Sequence, residues 1–71
     1  SFITFDIQKQ TEKEYLIYIY NFLGRKVFTI SSNSPKITIP LDNFFRGIYI
    51  FQIIDKENGS IIQSNKFQVN K

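Results

Sequence analysis

The chain contains no cysteine, histidine, methionine, tryptophan or alanine, and only three glycines and two prolines in 71 residues. Without thiols no disulfide can compensate for a small core. Zinc thiolate sites are ruled out as well, and with no imidazole either, a transition-metal site is not expected. The missing cysteine leaves the redox compartment undetermined. The missing histidine removes the commonest general base and the usual activator of a nucleophile. No stretch approaches the ~20 apolar residues of a membrane span. The longest apolar and tyrosine run, Tyr15 to Tyr20, has the length of a strand, so no direct membrane insertion is expected. No signal peptide is visible, and the chain begins at Ser1. The expectation is a single domain, residues 1–71, cut from a larger secreted protein whose targeting signal lies outside it.

What is present is a folding composition. Hydrophobic residues make up 42% and aromatics 17%, too many for a disordered segment. There are thirteen Ile, eight Phe and four Tyr but only three Leu. Ile, Phe and Tyr suit the pleated, half-buried surface of a sheet, while the strong apolar helix formers are nearly missing. A domain this small buries only about 60% of the surface of its unfolded chain, so its stability is expected to be marginal. The formal charge is +3. The basic residues are spread along the whole length with no run, which favours a solvated surface over a nucleic-acid patch.

The hydrophobic pattern defines the strands. From Phe2 to Gln8, Ile3, Phe5 and Ile7 alternate with Thr4, Asp6 and Gln8, giving one wet face. After the polar loop Lys9–Glu14 comes a second strand, Tyr15–Asn21. Its two faces, Ile17 and Ile19 against Leu16, Tyr18 and Tyr20, are both apolar. It is therefore central and covered on both sides, or it carries aromatics on an outer face. Phe22-Leu23-Gly24-Arg25 turns the chain, with Gly24 free to take positive φ. A third strand, Lys26–Ser31, ends in the turn cluster Ser32-Asn33-Ser34-Pro35. A fourth, Lys36–Leu41, puts Ile37, Ile39 and Leu41 on one face, and Pro40 marks an edge or the strand's end. In the compact connection Asp42–Arg46, Phe44 is expected to fold back into the core. Gly47 opens the fifth strand, Ile48–Ile54, with Tyr49, Phe51 and Ile53 on one face. Asp55–Gly59 is a hairpin loop ending in Asn-Gly. The sixth strand is Ser60–Val69, with a break expected near Ser64-Asn65. Six to seven short strands between turn signals predict a small antiparallel β-sandwich, Ig-like or fibronectin-like.

No catalytic constellation emerges, so the chain is read as non-enzymatic and without cofactor or metal. The acids Asp6, Glu12, Glu14, Asp42, Asp55 and Glu57 fall at strand or loop positions that read as exposed. A 71-residue sandwich leaves little volume for a glycosidase-like cleft between two of them. Asp55, Glu57 and Asn58 are calcium-type oxygen donors, but turn chemistry alone explains an Asp-x-x-Asn-Gly hairpin. Tyr15, Tyr18, Tyr20 and Phe28 offer either a stacking platform for sugars or single strands or cross-strand packing, and packing is favoured. The alternative function on this architecture is a carbohydrate-binding or adhesion module.

Four ordered segments carry a resemblance. Ile19-Tyr20-Asn21, Gly24 and Val27 match an "I-Y-N/D-x-x-G-x-x-V" pattern. Ile39, Leu41, Phe44, Phe45, Arg46, Gly47, Ile48 and Tyr49 are similar to "I-x-L-x-x-L-P-x-G-I-Y", with Phe45 standing where Pro is usual. Asp55 to Gly59 corresponds to a "D-x-x-G" hairpin one residue longer, and Lys66, Val69 and Lys71 to a "K-x-x-V-x-K" tail. Together they resemble the type A C-terminal sorting domain of the type IX (Por) secretion system. The family's Pro-Asn-Pro opening is not present.

The resemblance implies a non-catalytic signal at the end of a cargo protein. The cargo crosses the periplasm, is recognised by the type IX translocon, is cut by a sortase-like peptidase, and ends at the cell surface or outside. The residues expected to be read are Lys66, Phe67, Gln68, Val69, Asn70 and Lys71, on a strand at a sheet edge. Deleting them is expected to block export while leaving the rest folded. Ile19, Val27, Ile39, Tyr49 and Ile53 are expected in the core.

Overall fold

The computed structural model describes residues 2–6, 13–34 and 36–70. Ile7, Gln8, residues 9–12, Pro35 and Lys71, on which some of these expectations fall, lie outside the described residues. The described residues form six strands: β1 (Phe2–Asp6), β2 (Tyr15–Asn21), β3 (Lys26–Ser32), β4 (Lys36–Pro40), β5 (Gly47–Asp55) and β6 (Ile61–Val69). They form two antiparallel sheets. One has two strands, β1-β4, and the other has four in the order β3-β2-β5-β6. Tight hairpins join β2 to β3 and β5 to β6 within the larger sheet, whereas the β3–β4 and β4–β5 connections cross between sheets. This is the layered, Ig-like sandwich that the strand pattern predicts. β6 runs unbroken, without the expected interruption at Ser64-Asn65. The irregularity lies instead between Ile53 and Ile54, where Ile53 faces Gln63 and Ile54 faces Ile61.

Alternation builds the core. Ile17, Ile19, Ile39 and Ile53 are fully buried, and Phe5, Ile37, Leu41, Phe44, Phe51 and Val69 join them. An aromatic chain ties the layers together. Phe28 meets Phe44 (5.9 Å between ring centroids), Phe44 meets Tyr49 (5.2 Å), Tyr49 stacks on Phe67 (5.7 Å), and Phe51 meets Phe5 of the opposite sheet (4.5 Å). Such pairs are each worth about 0.5–1.5 kcal/mol beyond their buried area. Phe44 plugs the core as expected, and β2 is a central strand with Tyr18 and Tyr20 on its outer face and Tyr15 in the core.

Tyr49 does more than fill space. Its hydroxyl donates to the Phe45 carbonyl at 2.8 Å, four residues upstream. This is the tyrosine corner of Ig-like sandwiches, which pins the crossing segment to the strand that follows it. Gly47 sits between them at φ 150°, and Gly24 closes the β2–β3 turn at φ 85°. Both backbone conformations are open to glycine and strained for other residues.

Candidate functional site

Strand register sorts the functional candidates into two ends. At one end lie the β2–β3 turn, the β4–β5 connection and the last residues of β6. Asn21 pairs with Tyr49, and Gly47 with Val69. The hallmark positions and the C-terminal tail are therefore neighbours. Asp55 and Gly59 sit at the opposite end, in the β5–β6 hairpin.

Asn21 organises the first end. Its Oδ1 accepts the backbone N–H groups of Leu23 and Arg25, both at 3.0 Å. Its own N–H donates to the Arg25 carbonyl and its carbonyl accepts from Gly24, both at 2.9 Å. One amide side chain thus replaces the backbone partners that the turn lacks. Next to it the β2–β3 register shifts, so that Ile19 faces Phe28 and Tyr20 faces Lys26. Val27 is the extra residue of this bulge and is 44% exposed. It is not the core residue that the family pattern implied: it shares the outer face of β3 with Thr29 and Ser31, while Phe28 and Ile30 turn inward. A bulge leaves one residue unpaired and re-aims its side chain.

Val27, Phe28, Phe44, Phe45, Arg25 and Asn21 line a groove of about 630 Å³ at this end. Phe45 is 85% exposed beside it, and Phe22 and Leu23 project from the turn at 74% and 79% exposure. A smaller recess of about 300 Å³ adjoins β6, lined by Ile48, Lys66, Phe67 and Gln68.

The tail residues divide. Val69 is 2% exposed, Phe67 packs against the core, and Lys66, Gln68 and Asn70 face solvent. β6 is an edge strand paired only with β5 among the described strands, so its outer backbone groups are open to strand addition. The strand register argues against the expectation that this tail is dispensable for folding. Removing residues 66–71 strips the pairs Ile50–Lys66, Tyr49–Phe67, Ile48–Gln68 and Gly47–Val69 from β5 and opens the core at Val69.

The other end is charged. Asp55 reads as exposed in the sequence but is buried, because the inner face of β5 continues through it. Its Oδ1 accepts the Glu57 N–H at 2.9 Å and its Oδ2 accepts from Lys13 Nζ at 3.1 Å. Those donors hold its carboxyl below the usual carboxylate range, the Glu57 backbone N–H first and the Lys13 bond second. Lys13 is raised in return, mainly by its bond to Asp55. Lys13 also lies 3.7 Å from Glu57, and Lys56 lies 3.7 Å from Glu14. The Asn58 side chain accepts the Ser60 N–H at 2.9 Å. The donor atoms of this hairpin thus serve its own turn and ion pairs. Among the described residues no group of three or more carboxylate, thiol or imidazole side chains is placed to hold a metal.

The tyrosine platform does not form as a unit. Tyr15 faces the core at 3% exposure and Phe28 packs inward, while Tyr18 and Tyr20 face outward. Lys26 Nζ sits 3.7 Å from the Tyr18 ring centre, in a cation–π contact that covers one face of that ring.

This is a small Ig-like module whose candidate sites are surfaces at its ends, not an enclosed reaction cleft. The sequence model of one family, described as "Secretion system C-terminal sorting domain", matches residues 1–70. The chain belongs to that family, the sorting domains of type IX secretion, which is not a family of enzymes. A secreted destination for the protein that carries it follows from the family. No curated protein and no solved structure matches the chain.

Proposed function

We propose that this domain is the non-catalytic C-terminal address that sends a cargo protein across the outer membrane through the type IX translocon, after passage through the periplasm. The family match over residues 1–70 carries this reading. The fold supports it, because the motif residues Asn21, Gly24, Gly47 and Tyr49 build turns and a corner instead of a reaction site. The message is then the shape of a folded surface. The tail contributes through the outward side chains of Lys66, Gln68 and Asn70 and through the β6 edge. Phe67 and Val69 hold that edge in register. A sortase-like peptidase and the upstream cargo domain complete the set of partners.

The test is a fluorescent reporter with a secretory leader and this domain at its C-terminus. It should reach the medium or cell surface in cells with a working type IX system and stay in the periplasm when the translocon is deleted. Periplasmic retention in both strains would refute the assignment.

A further inference from the structure

The β2–β3 and β5–β6 turns solve the same backbone problem with the same device. Asn21 Oδ1 captures N–H groups two and four residues on, and Asp55 Oδ1 captures one two residues on. Each turn closes on a glycine N–H that donates to the carbonyl of its Asx residue, at 2.9 Å for Gly24 and 2.8 Å for Gly59. At the far end the residues between are tied in as well, Asn58 by accepting the Ser60 N–H and Lys56 and Glu57 by ion pairs, whereas the side chains between Asn21 and Gly24, those of Phe22 and Leu23, make no such bond. The fold therefore does not require Phe22 and Leu23 to be apolar. Phe45 is similar: it supplies a carbonyl to Tyr49 while its ring stands in solvent. Such clustered apolar exposure on a small domain marks an interaction surface.

The charges also segregate, although they are evenly spread in sequence. Asp6, Glu14, Asp55 and Glu57 all fall in the far half. The half that carries the groove holds Arg25, Lys26, Arg46 and Lys66, with Asp42 as its one described acid, and Asp42 has a partner of its own. Among the described residues, none of those four cations is in an ion pair, whereas Lys13 and Lys56 are.

Resting on the sorting-domain reading, we infer that the groove end is the docking surface. Its occupant is a protein segment of the secretion machinery that presents large apolar side chains beside carboxylates. The apolar groups seat against Val27, Phe45, Phe22 and Leu23, and the carboxylates meet Arg25 and Arg46. A second copy of this chain fits poorly, because it would bring arginines against arginines.

The test uses the same reporter fusion with two turn-end variants, Phe22→Ser/Leu23→Ser/Phe45→Ser and Arg25→Glu/Arg46→Glu. Arg25→Lys/Arg46→Lys serves as the charge-keeping rescue and Lys56→Glu as the far-end control. Each 71-residue chain is also melted and sized in solution. The first two variants should melt within a few degrees of the parent yet lower the secreted fraction about tenfold, the change expected when interface anchors are truncated. The rescue and the control should export normally. If the parent is exported and both turn-end variants are exported equally well, this surface is wrong and the sorting reading stands. If the parent itself is retained, the sorting reading fails and this inference with it. Loss confined to one of two unrelated cargoes would assign the surface to the cargo domain. A dimer dissolved by the serine variant would assign it to self-association. Either result overturns the inference.

Discussion

The two ends of the sandwich share a backbone solution and differ in the chemistry placed on it. At the Asp55 end, a buried carboxylate, a lysine and three further ion-paired residues form an internally paired cluster. At the Asn21 end, a neutral amide does the same work for the turn. There the exposed side chains are phenylalanine, leucine, valine and arginine, with no ion pairs of their own among the described residues. Folding explains the first end completely. It explains only the skeleton of the second, and the remainder is what a partner can read.

The largest effect separates scaffold from message. Deleting residues 66–71 should abolish the cooperative thermal transition, because it removes half of the β5–β6 ladder and opens the core. An intact melting curve for the truncated chain would show that the tail only decorates the fold. Tyr49→Ala comes next, at roughly 3 kcal/mol by analogy with other aromatic truncations in cores, against a total stability of only about 5–15 kcal/mol for a whole domain. Tyr49→Phe should lose only about 1 kcal/mol, the net value of one hydrogen bond. Equal melting temperatures for the Ala and Phe variants would contradict the buried corner.

The smallest effect lies at the charged end. Asp55 has a depressed folded pKa, so its contribution is present above the ordinary carboxylate value and fades as pH falls through the folded one. Asp55→Asn should lower stability by a constant amount at neutral pH, and the gap to the parent should close below about pH 4. Lys13 is shifted upward, so its share of the pair persists through the neutral range and is lost only in strong alkali. A gap unchanged down to pH 2 would mean that the Lys13–Asp55 pair contributes nothing.

Much of the scaffold was legible in the sequence because alternation of period two translates directly into faces. Ile17 with Ile19, Ile37 with Ile39, and Tyr49 with Phe51 and Ile53 all landed where their spacing puts them. Three features were not legible, each for a physical reason. Val27 was expected in the core from the family pattern, but it shares the outer face of β3 with Thr29 and Ser31, opposite the inward Phe28 and Ile30. Asp55 looked like a turn residue, and it is one, but it also closes the inner face of β5. The Tyr49 corner depends on a carbonyl that no sequence pattern displays, although a Gly-x-Tyr after a compact crossing segment is its available trace. The groove end was invisible for a different reason. Phe22, Val27, Phe45 and Arg46 are scattered in sequence and converge only through strand register.

The most direct measurement plots export yield against melting temperature for substitutions at both ends of the domain. Variants at Lys13, Asp55 and Lys56 should lose export only in proportion to the folded fraction they lose. Variants at Phe22, Leu23, Arg25, Phe45 and Arg46 should fall well below that line while staying folded. If both groups lie on a single line, export reads stability alone and no end of this module carries the address.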